Sequence, residues 1–324
     1  MTTSTTRTVD GRSAETSAAI TVGRGARGAR RPRRGGSTSF VLAPLLFIAV
    51  SVVLFLLFFV WPGALGLWYS FTDYTGVGIA RFIGLENYTD LFQDSDFYAA
   101  LGRTVLYTVL SVPLHFVAAL GIAMLLTSTL AKGKTASRII FFLPWLISPI
   151  VAGVIWKWLF GENFGMVNYL IELFGGNGPN WETDPTLALV LILIVSTWGG
   201  TAFNMLLFIA AIRNIPQSYL EAAEIDGANG WQRFMKITVP LLRPTSFMVV
   251  LLTTIGSMKE FAMVQALNGG GPGTSNMFIV QYIYRTGFER AHIGYASAAS
   301  MVLMVILIII AVIQMRFDKR NDLA

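Results

Sequence analysis

Long apolar runs without a single Asp, Glu, Lys or Arg occupy residues 35–72, 104–131, 139–156, 185–212, 244–258 and 291–315. About 20 residues cross a hydrocarbon core as a helix, so four of these runs are long enough outright, and 139–156 and 244–258 are marginal. The pattern predicts spans at 40–62, 104–127, 139–158, 186–209, 246–266 and 293–315. The expected fold class is therefore an all-α membrane protein with six transmembrane helices. One long polar interruption, residues 212–245, separates spans four and five.

Composition agrees with that class. Of 324 residues, 54% are hydrophobic and 13% charged, about half the charged share of a soluble domain. The absence of cysteine excludes disulfides, thiolate metal sites and cysteine nucleophiles. With His115 and His292 as the sole histidines, a histidine metal cluster is not expected.

The net charge of +6 changes meaning once it is located. Residues 1–39 hold eight arginines against Asp10 and Glu15, and residues 40–324 balance. The Gly/Arg-rich stretch "GRGARGARRPRRGG" (23–36) predicts a disordered basic tail. Beside a membrane span, contact with anionic lipid is a commoner role for such a tail than nucleic-acid binding. It is not expected to be a signal peptide, because 39 polar residues precede an apolar run too long for an h-region. With the N-terminus inside, segments 1–39, 128–138, 212–245 and 316–324 carry 18 Lys and Arg, against Arg81, Arg285 and Arg290 on the opposite side. The positive-inside rule then places both termini in the cytoplasm of a multi-pass plasma-membrane protein. Residues 40–315 form the membrane domain, and 316–324 a cytoplasmic tail.

That topology makes 212–245 a cytoplasmic loop. Pro216 suits a first helical turn, Gly227 suits a helix end, and Asn229 with Gln232 suits a capping pair for a second helix. Trp231, Phe234, Met235 and Thr238 share a face of that helix, and Pro240 and Pro244 are expected to stop it. Helix physics alone fits an amphipathic connector as well as a docking helix-turn-helix. Ala222 and Ala223 keep the first helix slim, and its carboxylates offer charge-assisted pairs to a partner.

The pattern goes further. Glu221-Ala222-Ala223, three residues, Gly227, nine residues, then Ile237-Thr238-Val239-Pro240 resembles the EAA motif of permease subunits of ATP-binding-cassette importers, with Val239 where the family usually has leucine. "FIGLENY" (82–88), "FFLPWLISPIVAGVIWKWLF" (141–160), "LNGGGPG" (267–273) and "YIYRTGFERAHIGYASA" (282–298) are similar to the carbohydrate-uptake branch, the maltose and glycerol-3-phosphate type permeases. The resemblance implies a second, similar permease, two cytoplasmic ATPase subunits and an extracytoplasmic sugar-binding protein as partners. It also implies that Glu221, Ala222, Ala223, Asp226, Gly227, Ile237 and Pro240 couple the spans to the ATPases. The solute it implies is a sugar, a di- or oligosaccharide, with glycerol-3-phosphate or a polyol as the alternative. A stand-alone secondary transporter would not need the EAA loop.

Other motifs weigh less. "GKT" (133–135) lacks the upstream glycine, since Ser128 stands there, and lacks a preceding strand. ATP and magnesium are therefore expected on partner chains, with no cofactor, metal or catalytic residue on this one. No G-x-S-x-G nucleophile pattern occurs. The "GGGPG" run reads as a flexible outer turn. Lys259 and Glu260 fall inside span five, where charge is costly and faces a bundle interior or an aqueous cavity. Adjacent helical residues point about 100° apart, so the two are not expected to pair. Trp198, Asn204 and Gln265 complete the candidate substrate pathway, and His115 reads as structural.

Overall fold

The computed structural model describes residues 39–128 and 133–321. The expected disordered tail, up to residue 38, lies outside the described residues, as do Lys132 and the last three residues. The chain divides into two units, Met1–Phe55 and Leu56–Ala324. Within the first, α1 (Ser39–Phe55) is described.

The second unit opens with a π turn (Leu56–Val60) and α2 (Trp61–Tyr69). Short α3 (Glu86–Leu91) leads into α4 (Ser95–Thr127). Then come α5 (Lys134–Leu146), α6 (Pro149–Leu159), α7 (Met166–Leu173) and α8 (Pro185–Arg213). The polar interruption holds α9 (Gln217–Ile225), α10 (Gly230–Arg233) and α11 (Val239–Leu241). Last are α12 (Arg243–Met258), α13 (Ala262–Leu267), α14 (Ile279–Tyr284) and α15 (Ile293–Asn321). Among the described residues the single β feature is a bridge between Thr72 and Phe82.

The all-α membrane fold is as expected, and two of the spans differ. Phe47–Tyr69, Ser95–Thr127, Pro185–Arg213 and Ile293–Asp318 are each long and apolar enough to cross a membrane, whereas Thr135–Leu146 with Pro149–Leu159 and Gly230–Leu241 with Arg243–Met258 are bent by 100° and 66°. Six spans result when each bent pair counts as one. Proline explains the first bend. Ser148 precedes Pro149 and is extended at φ −56, ψ 138, the conformation a following proline ring imposes, so 139–158 is not one straight helix. Span five ends at Met258, and residues 259–261 break the chain before α13.

Helix starts follow local chemistry. Asp94 accepts from Asp96 N–H (2.7 Å) and Phe97 N–H (3.3 Å) to open α4. Asp184 does the same for Thr186 and Leu187 at α8 (2.8 and 2.9 Å), with Pro185 in the first turn. Helices α4 and α8 make the most extensive pairing in the bundle. Small residues Ala119 and Ala123 meet Met205, Phe208 and Ile209 in a core that also holds Leu242 and Val249. Small residues allow such close approach where lipid supplies no hydrophobic drive between helices. Polar links cross the same bundle: Ser111 Oγ to Ser257 Oγ at 2.8 Å, Asn204 Nδ2 to Thr253 Oγ1 at 3.1 Å, and Gln314 Nε2 to Thr254 Oγ1 at 3.0 Å.

The "FIGLENY" segment acts as a clamp. Asn87 is buried, and its Nδ2 donates to the Ser70 and Thr72 carbonyls at 2.9 and 2.8 Å, fastening the chain after α2 to the approach to α4. Gly294 N–H completes the corner on the Tyr74 carbonyl (2.8 Å).

Candidate functional site

Two regions hold the residues singled out by sequence. The first is the polar interruption. Helix α9 ends at Ile225, and Gly227 adopts φ +78. Ala228 N–H returns to the Ala223 carbonyl (2.9 Å) and Gly227 N–H to that of Glu224 (3.0 Å), closing the last turn in the way left-handed C-terminal residues permit. Asn229 and Gln232 then form a reciprocal capping box, 2.9 Å in both directions. A 2.7 Å ion pair from Arg233 to Glu224 spans the turn. Glu224 is thus engaged within the loop, while Glu221 and Asp226 stay exposed. Ile225 and Trp231 are 87% and 66% exposed, an uncovered apolar pair beside these carboxylates.

Pro240 does not stop the second helix. The backbone widens into a π turn over Phe234–Thr238, with Val239 N–H bonded to the Phe234 carbonyl. The run therefore continues through Pro240 to Leu241, and the bend falls at Leu242. Widening by one residue lets a proline ring sit where α geometry would clash. Ile237 is half-buried on this segment.

The second region is a cavity of about 650 Å³ among α4, α5, α6, α8, α12 and the break before α13. Trp198, Asn204 and Glu260 all line it, so three of the five proposed pathway residues meet at one place. Lys259 and Gln265 do not. Lys259 faces a different, apolar groove with Ile255, Val280, Leu303 and Met304. Gln265 Oε1 accepts from Gln281 Nε2 at 2.9 Å, which ties α13 to α14. Placing Lys259 and Glu260 within a continuous helix is also corrected, since both follow the end of α12.

The wall contains residues that sequence did not single out as pathway. Tyr107, Trp145, Ser196 and Phe203 belong to it, and so does His115, read from sequence as structural. His115 Nδ1 lies 2.7 Å from the Ser111 carbonyl oxygen; an oxygen there can only accept, so Nδ1 carries the proton. Its ring edge packs on Gly200, where an added Cβ would come within 2.4 Å of Nε2. Adjacent glycines 199 and 200 were the available signal in the sequence, a bare patch on a helix face. Trp145 stacks on Phe203 (centroids 5.0 Å apart) and Trp198 meets Trp156 edge-on (5.6 Å).

Around the cavity, half-helices lock together. A Cβ at Gly153 of α6 would stand 2.6 Å from the Met263 carbonyl of α13, so the two touch backbone to backbone. The "GGGPG" run is tied down rather than slack. Arg285 Nη2 donates to the Gly269 carbonyl (2.6 Å), and Asn276 Nδ2 donates to those of Gly271 and Pro185 (both 3.0 Å).

Two carboxylates outside the spans are held low. For Asp94, burial opposes ionisation, but the hydroxyls of Tyr282 and Tyr295 and the N–H groups of Asp96 and Phe97 outweigh it. Glu162 is lowered in the same manner, burial being overcome by the N–H groups of Thr183 and Glu182 and the Thr183 hydroxyl.

A helical membrane bundle with broken half-helices around a central cavity defines a membrane transport component. Residues 76–322 match the family described as "Binding-protein-dependent transport system inner membrane component". The sn-glycerol-3-phosphate transport system permease protein of Agrobacterium fabrum is 32% identical over 287 residues, 86% of this chain and 96% of that protein. The corresponding Rhizobium meliloti protein is 33% identical over 289 residues, with the same two shares covered. A bacterial ABC transporter involved in import of the acidic polysaccharide alginate superposes with a TM-score of 0.78 at 24% identity, covering 87% of this chain and 96% of that one. The same transporter type in complex with an alginate pentasaccharide-bound periplasmic protein gives 0.76 at 25%, covering 87% and 95%. The chain belongs to the family of binding-protein-dependent inner membrane transport components, and is a membrane-embedded permease subunit of an ATP-binding-cassette importer.

Proposed function

We propose that this chain is one of two transmembrane subunits through which a sugar, a di- or oligosaccharide, enters the cell, driven by ATP that two partner ATPases bind with magnesium and hydrolyse. The observation that carries the reading is the α9 joint. Its C-terminal turn is built around Gly227, with Glu221, Asp226 and Ile225 exposed beside it. Glu221, Ala222 and Ala223 face a cleft on an ATPase subunit, and Ile237 and Pro240 transmit its closure through the bend at Leu242 into α12. Both termini lie in the cytoplasm. An extracytoplasmic binding protein delivers solute to the opposite end of the bundle, where the cavity lined by Trp198, Asn204 and Glu260 receives it. The chain itself catalyses nothing.

A second reading concerns the solute alone. The curated relatives named above are glycerol-3-phosphate permeases, which favours a polyol phosphate. The experiment for the importer reading is co-purification from detergent followed by an ATPase assay. A tagged, folded chain should bring an ATPase subunit with it, and liganded binding protein should accelerate hydrolysis. A folded chain that never carries an ATPase sinks the reading.

A further inference from the structure

The cavity wall carries a single acidic side chain among its described lining residues. That side chain, Glu260, is half-buried and lines the cavity. Among the described residues lining the cavity there is no Lys or Arg. The adjacent Lys259 faces the apolar groove on the other side, and Arg285 is held on Gly269. His115 contributes an imidazole whose Nδ1–H is held on the Ser111 carbonyl.

The rest of the lining suits a different solute. Trp145 and Phe203, stacked on one another, and Trp198 present apolar ring faces. Of the lining residues, Asn204 and Thr253 are hydrogen-bonded to each other and Ser257 to Ser111 of α4, and each retains further donor or acceptor capacity. Ring faces cover the C–H faces of a saccharide, while amide, hydroxyl and carboxylate groups exchange hydrogen bonds with its hydroxyls. A phosphate dianion brought against this wall would lose its water with no countercharge in return, and would meet the acidic side chain of Glu260 where a cation would be needed.

We infer that this chain's wall of the cavity accepts an uncharged, hydroxyl-rich solute and turns away phosphomonoesters, with Glu260 as the specificity-determining residue. The inference rests on the importer reading and narrows its solute. It separates the chain from relatives named for sn-glycerol-3-phosphate, whose solute does not carry over.

The test uses the assembled transporter, both permeases and both ATPases, in lipid nanodiscs without ATP or binding protein. Tryptophan fluorescence, to which Trp145 and Trp198 contribute from the cavity wall, is followed during titration with maltose or with sn-glycerol-3-phosphate at matched ionic strength. The wild type should respond saturably to maltose and more weakly to the phosphoester by about tenfold or more. Glu260→Gln should shrink that gap, and Glu260→Lys should close or reverse it. Equal or stronger binding of the phosphoester by the wild type overturns the inference, and so does silence toward both probes. An unchanged preference in the variants removes Glu260 from its role. Should the Lys variant fail to assemble, the Gln variant alone decides that point. Stimulation of ATP hydrolysis by liganded binding protein is measured on the same wild-type sample, so the importer reading can fail independently of solute choice.

Discussion

The Tyr282 hydroxyl donates to Asp94 Oδ2 at 2.5 Å, and Tyr295 reaches the same oxygen at 2.9 Å. The other oxygen of Asp94 caps α4. One carboxylate thereby joins the starts of α4 and α15 to α14. Tyr282→Phe removes a charge-assisted bond from a buried ring and should cost about 1.5–3 kcal/mol, read as a lower midpoint of thermal unfolding in detergent. Because folding lowers the pKa of Asp94, its contribution is complete above the unfolded value near 3.8 and disappears as pH falls through the folded value. The wild type should therefore lose stability below about pH 4 more steeply than Asp94→Asn. Parallel acid limbs for the two proteins would refute this.

Gly200 and His115 leave no room between them for a methyl group. His115 is pinned by Ser111, so its ring cannot simply swing aside, and Gly200→Ala should destabilise by about 1–3 kcal/mol through overpacking. Combining it with His115→Ala should recover most of that loss. A double variant no more stable than Gly200→Ala would show that the strain lies elsewhere.

At Gly153 the obstacle is the Met263 carbonyl, which belongs to backbone and yields less than a side chain. Gly153→Ala should force α6 away from α13 and widen the cavity's floor. Cysteine pairs introduced into this cysteine-free chain across the α6/α13 contact should crosslink more slowly in the Ala variant. An unchanged rate would mean that the contact absorbs the methyl group.

Gly227 presents the opposite case, because a Cβ there meets nothing within 4 Å. Only its backbone conformation resists substitution, by roughly 1–2 kcal/mol for an ordinary side chain and less for asparagine. Gly227→Leu should therefore uncouple ATP hydrolysis from transport while the bundle stays inserted, and Gly227→Asn should retain most coupling. Full coupling in Gly227→Leu would take the residue out of the joint.

Much of the bundle was legible because lipid leaves its mark as uninterrupted apolar length. Helices α8 and α15 were read within several residues, and α4 was read to its end but starts at Ser95, well ahead of the expected 104. The breaks were harder, since Pro149 and the Lys259-Glu260 pair do not say whether a span ends or only bends. The π turn before Pro240 was invisible for a related reason: proline predicts a stop unless the backbone can widen, and widening depends on neighbours. Within the cavity, Trp198, Asn204 and Glu260 stood out as polar or aromatic groups among aliphatics. Tyr107, Ser196 and His115 blend into a span by composition, and only the pairing of α4 with α8 brings them to the same surface.

Lys259 and Glu260 are chain neighbours that address opposite sides of the break after α12. Which of the two lines the cavity is set by its place in the chain after α12, and one residue added to α12 would move Lys259 into the place Glu260 now holds. A change in length with no chemistry of its own would thus present an ammonium where a carboxylate now stands. The cavity would then gain a cation without a single substitution among its other lining residues.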